Sequence, residues 1–174
     1  EIFVNKDKLI VFGTEIYNYE PIPLTEKSTS IASPTIVRPY HSTKSFIKIY
    51  DISDKQNPGL FHEISYDGEY YDTRMINNYV YAIVNQPINY DNDNIIMPEL
   101  RYNDVSVSVA PTDVYYFDIF DYGYQLTTIF AINLNSLDNL EKQSFLTGYT
   151  QNMYVSQDNI YLASQKQVSY REYE

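Results

Sequence analysis

One pattern occurs three times in this chain: an apolar run, a short polar turn, then a second apolar run. It joins Ile2–Val4 to Leu9–Phe12, Tyr70–Ile76 to Tyr79–Val84, and Met153–Val155 to Ile160–Ala163. Short apolar runs on either side of a tight polar turn read as β-hairpins, and a hairpin that recurs at long intervals marks a repeat architecture. Equivalent points fall at residues 4, 76 and 155 of the 174. Removing insertions of about 30–40 residues leaves units of about 40, the size of a propeller blade.

Each unit continues in the same way after its hairpin. In the first, residues 15–44 contain Pro21, Pro23, Pro34 and Pro39 among many Ser and Thr. Proline cannot donate to a ladder, so this insertion is expected to be a long loop. A strand resumes at Phe46–Ile52, a turn follows at Asn57-Pro58-Gly59, and Leu60–Tyr66 forms the last strand before Asp67-Gly68. In the second unit the insertion spans 86–127, and its alternating Val105, Val107 and Val109, followed by Val114–Ile119, predict an extra hairpin. Thr128–Leu134 then matches Phe46–Ile52 position by position, with Asn133 against Asp51. No stretch has a persuasive helical period.

The expected fold is therefore all-β: a partial β-propeller of four-stranded antiparallel blades with long loop insertions. Blade 1 covers about 1–67 with insertion 15–44, and blade 2 about 68–149 with insertion 86–127. A third blade begins at about 150–174. A four-stranded blade cannot bury both faces alone, and stacking blades around an axis does. A closed ring needs at least about four, so the remaining blades or other copies are expected to complete it. The chain opens at Glu1 inside a strand pattern, which points to a piece of a longer protein.

Composition narrows the partners. A net charge of −11 argues against nucleic acid, which needs a basic face to neutralise phosphates, and against an anionic membrane surface. Residues 75–140 hold eight acids and one base, Arg101, a stretch that either attracts cations and basic partners or serves as solvated surface. The absence of cysteine excludes disulfides, Cys-ligated zinc and thiol nucleophiles. No apolar run reaches the roughly 18 residues of a membrane span, so direct membrane insertion by a helix is not expected. The 20 tyrosines suit strand packing, with a binding surface as the alternative reading.

Several runs resemble a known family: Ile49-Tyr50-Asp51-Ile52-Ser53-Asp54, Asn57-Pro58, Asp67-Gly68-Glu69-Tyr70, Arg74-Met75-Ile76 and Val80-Tyr81. Met97-Pro98-Glu99, Tyr116-Phe117-Asp118-Ile119, Thr128-Ile129, Asn133-Leu134 and residues 152–161 continue the match. The chain resembles a family of secreted prokaryotic proteins with a C-terminal β-propeller distantly related to WD-type repeats. The resemblance implies a propeller in an extracytoplasmic setting and implies no defined activity.

Residues with chemical potential are few. Asp91, Asp93 and Glu99 alternate oxygen ligands as a Ca²⁺ loop does, but the usual glycine and twelfth-position acid are missing, and a solvated turn explains them without a metal. Asp118 with Asp121 could form a carboxylate pair, with Asp118 expected on a strand. Arg74 is expected to tie strands or blades to a carboxylate. Asp51 and Asn133, at equivalent repeat positions, are expected to be structural. His41 and His62 are the two histidines, and no nucleophile elbow or Gly-rich phosphate loop accompanies them.

The function expected is thus a non-catalytic extracytoplasmic binding module for a protein or glycan. Insertions 15–44 and 86–127 leave corresponding places in successive blades, so they should emerge side by side as the ligand face. The alternatives are a Ca²⁺-stabilised module of the cell envelope, or part of a hydrolase whose catalytic groups lie in other blades. No cofactor is required beyond that Ca²⁺.

Overall fold

The computed structural model describes residues 1–18, 41–91, 94–103, 105–118, 123–137, 140–156 and 158–165. The first sheet opens with β1 (Ile2–Asn5), β2 (Lys8–Asn18), β3 (His41–Asp51) and β4 (Gly59–Asp67) in meander order. The second holds β5 (Glu69–Ile76) and β6 (Tyr79–Pro87). After β6 come β7 (Asn89–Asp91), β8 (Asn94–Ile96), β9 (Glu99–Tyr102), β10 (Val105–Ser108), a 3-10 turn (Pro111–Asp113) and β11 (Val114–Tyr116), the last of which joins the edge of the second sheet. Then β12 (Gln125–Asn133) and β13 (Leu140–Thr147) complete the second sheet, and β14 (Tyr149–Val155) with β15 (Ile160–Gln165) forms a separate hairpin. Among the described residues, no helix is long and apolar enough to cross a membrane.

The repeat is visible in backbone detail. Lys6 and Asn77 occupy matching turn positions with φ of 53° and 54°. The next carbonyls, of Asp7 and Asn78, accept from the N–H of Ile52 and Leu134, each at 2.8 Å. One residue earlier, Asp51 Oδ1 accepts from Ser53 N at 2.8 Å, and Asn133 Oδ1 accepts from Asn135 N at 3.0 Å. These are Asx turns, in which a short side-chain oxygen takes the place of a backbone carbonyl. The bonds from Ile52 and Leu134 couple the end of each third strand to the hairpin tip of its own blade.

The two sheets pack face to face. Ile10, Phe12, Ile47, Ile49, Ile64 and Tyr66 from the first meet Val80, Ala82, Val84, Phe130 and Ile132 from the second in one buried cluster. Alternation along each strand turns one set of side chains inward, and the facing sheet removes that set from water. On the far side of the second sheet Ile83 and Thr127 are also buried. There the Thr127 hydroxyl donates to Asn85 Oδ1 at 2.9 Å and lies 3.1 Å from Thr150 Oγ1 of the β14–β15 hairpin. A third layer therefore starts where the third repeat does.

Gly68 is the one residue between β4 and β5, and so between the two sheets. Its φ is +126°, and a Cβ there would stand 2.8 Å from the Asn85 carbonyl oxygen. Its own N–H donates to Thr43 O at 2.8 Å, and its carbonyl accepts from Ser45 Oγ at 2.8 Å. Only glycine takes this backbone shape without strain.

The insertions differ from expectation. The first is not loop over 15–44: β2 and β3 stay paired as far as Asn18↔His41. The prolines that argued for a loop all lie between those two residues, and the flanking segment, with β-branched Thr14 and Ile16 and Tyr17, favours strand. Residues 19–40 are outside the described residues, and with them the expected side-by-side arrangement of the two insertions. The second insertion is largely strand. Its hairpin pairs β10 with β9, not with 114–119, because Glu99–Tyr102 is an equally good strand run a short turn away. Phe117 and Asp118 follow the end of β11 instead of lying on it.

Candidate functional site

The second insertion is laid across the rims of both sheets. β9 pairs antiparallel with β4 through Ile64↔Tyr102, Ser65↔Arg101 and Tyr66↔Leu100, and β10 continues the sheet outward. The same insertion then sends β11 to the edge of the second sheet, parallel to β13, through Val114↔Ser144, Tyr115↔Phe145 and Tyr116↔Leu146. The four-stranded units thereby become sheets of six and five strands. Leu100 and Val109 anchor the insertion in the core, and Val109 N donates to Pro98 O at 3.0 Å.

His62 belongs to this anchoring. The Tyr102 hydroxyl donates to Leu137 O and lies 3.0 Å from His62 Nδ1. The two rings stack at 5.6 Å. His62 thus fastens β9 to the first sheet, which a strand histidine beside Glu63 does not reveal in sequence.

Arg74 points along its own strand. Its Nη1 donates to Asp72 Oδ1 and to Thr73 O, both at 2.6 Å. The carboxylate tie between the two sheets comes from Glu1, whose Oε2 accepts from Tyr70 OH at 2.6 Å and from Thr73 Oγ1 at 2.9 Å. Burial pushes the Glu1 carboxyl up, but those two hydrogen bonds and the nearby positive charges outweigh it and hold the pKa below the ordinary value. Asn5 Nδ2 adds a second tie by donating to Asn77 O at 3.0 Å, joining two hairpin tips.

Asp91 ends β7, Asp93 lies outside the described residues, and Glu99 sits on β9 with its N–H donating to Asp67 Oδ2 at 2.9 Å. Among the described residues no three His, Cys, Asp or Glu side chains form a metal-binding group. Asp118 is exposed, and Asp121 lies outside the described residues. His41 is the first residue of β3.

Between the insertion and β13 lies an open cleft of about 250 Å³, lined by Thr112, Asp113, Tyr115, Lys142, Gln143 and Ser144 over Val109. Gln143 Nε2 donates to Asp113 O at 3.2 Å, and Ser144 Oγ is 2.9 Å from Thr128 Oγ1. Beside it Tyr115, Tyr116 and Phe117 are 62%, 71% and 66% exposed. Sequence reasoning missed Lys142, Gln143 and Ser144, because only the parallel pairing of β11 with β13 brings them to the insertion. Parallel pairing between distant segments leaves no local turn signal.

No curated protein and no solved structure matches the chain. The family model described as "Beta propeller domain" matches residues 1–174. With repeated, mostly antiparallel sheets stacked face to face among the described residues, the chain belongs to the β-propeller domain family.

Proposed function

We propose that this propeller segment is a non-catalytic extracytoplasmic binding module whose partner, a protein or a glycan, docks on the platform built by the second insertion. One observation carries the reading: the insertion is held on the rims of both sheets, and it leaves Tyr115, Tyr116 and Phe117 exposed in succession. Consecutive exposed aromatics cost apolar hydration in a free monomer, and rigid aromatic side chains on a fixed strand are efficient contact groups. The extracytoplasmic setting rests on the resemblance to secreted propeller proteins, and further blades or copies would complete the ring.

The test uses labelled protein applied to a printed glycan array and to isolated archaeal and bacterial cell envelopes. Retention on at least one surface is expected, lowered about tenfold or more by Tyr116→Ala with Phe117→Ala. Equal retention of both proteins, or retention on neither surface, would overturn the reading.

A further inference from the structure

We infer that the cleft between β11 and β13 is a saccharide subsite of this platform; the inference rests on the binding role proposed above and names a ligand class for it. Its volume of about 250 Å³ falls just under the roughly 300–1,000 Å³ of pockets for drug-sized ligands. That is the scale of one sugar ring. The lining mixes a carboxylate (Asp113), an ammonium (Lys142), an amide (Gln143) and hydroxyls (Thr112, Ser144). Among the described residues neither Asp113 nor Lys142 forms an ion pair.

Charge decides what such a lining accepts. Asp113 and the overall charge of −11 disfavour an anion, and Lys142 disfavours a cation. Neutral hydroxyls can donate to Asp113 and accept from Lys142 at once, and both contacts are charge-assisted. Gln143 is held by its bond to the Asp113 carbonyl, which leaves its amide oxygen as an acceptor. Tyr115 borders the cleft, and its exposed ring, packed against Phe145 at 5.9 Å, is an aromatic surface at the rim for the C–H face of a pyranose that extends out of it. A small zwitterion could satisfy the two charges, but it has no use for that aromatic surface.

Saturation-transfer NMR on the full chain, with glucose, galactose, mannose, N-acetylglucosamine and their oligomers, tests this directly; glycine and alanine serve as zwitterion probes. At least one sugar is expected to bind saturably. Asp113→Asn and Lys142→Met should each weaken it about fivefold or more, with unchanged circular dichroism. No sugar response, sugar binding indifferent to both variants, or binding of glycine and alanine alone would overturn the saccharide assignment. The platform reading would survive that failure if array or envelope retention still depended on Tyr116 and Phe117.

Discussion

Tyr66 of the first sheet and Thr128 of the second share a buried hydrogen bond of 2.8 Å, and the Thr128 oxygen lies 2.9 Å from Ser144 Oγ. The Tyr66 ring also meets Phe130 edge-on at 5.0 Å. The core between the two sheets is thus apolar with this polar thread through it, in addition to the ties from Glu1 and Asn5. Every oxygen of that thread has a partner, so its cost of burial is met. Tyr66→Phe keeps the ring and removes the hydroxyl, and should cost about 1–2 kcal/mol. Thr128→Val removes the hydroxyl that both Tyr66 and Ser144 use and should cost more, about 1–3 kcal/mol. The double variant should cost less than the sum, because both remove the same bond. Urea unfolding of the four proteins measures each value.

Stability should fall in alkali. Burial pushes the Tyr66 phenol up to about 12 from 10.0, against the lowering effect of its bonds to Thr128 and Ser144. Burial and the hydrogen bond to Glu1 raise Tyr70 in the same direction. A phenol whose folded pKa is raised holds its proton in the native state after the unfolded chain has lost it. Its contribution is complete below pH 10 and disappears as the pH climbs towards the folded value. For Tyr66 alone this amounts to about 2 kcal/mol by pH 12. Unfolding free energies measured from pH 8 to 12 should decline, and Tyr66→Phe should flatten the decline.

Gly68 and Gly13 provide a paired comparison. An alanine at Gly68 would combine a φ of +126° with contacts of 2.8 Å to backbone and 2.9 Å to Val84 Cγ1. At Gly13 the close neighbour is the Phe46 ring, at 2.5 Å, and that half-buried side chain can swing aside. Gly68→Ala should therefore cost about 2–4 kcal/mol, and Gly13→Ala markedly less. Thermal melts of the two variants give the order. A Gly68→Ala protein as stable as the parent would show that the joint between the sheets has another conformation.

The core of the fold is legible in the residues because its signals are local. The alternation in Phe46–Ile52 and in Tyr79–Val84 places every second side chain inward, and Asp51 and Asn133 announce the turns that end the third strands. The insertion is not legible in that way. Val105 and Val107 advertise a strand, but whether it pairs with 99–102 or 114–119 depends on which neighbour already lies against β4. Nothing near Val114 in sequence indicates β13, thirty residues away. Lys142 and Asp113 likewise meet at one cleft only through that pairing. Prolines misled in the opposite direction: they mark where pairing cannot continue, and they say nothing of how far the strands on either side extend.

The docking of the insertion on the first sheet can be measured with one engineered crosslink. Ser65 and Arg101 are opposite each other across β4 and β9, where side chains start about 4.5–5.5 Å apart, near the reach of a disulfide. The chain has no cysteine of its own, so Ser65→Cys with Arg101→Cys introduces the only two thiols. Oxidation should form an intramolecular bond, seen as loss of both free thiols in the folded monomer. The pair Ser65→Cys with Val107→Cys, one strand further out, should remain reduced. Two free thiols in the folded Ser65/Arg101 variant would mean that the insertion does not lie on the rim of the first sheet, and the binding platform with its cleft would fall with it.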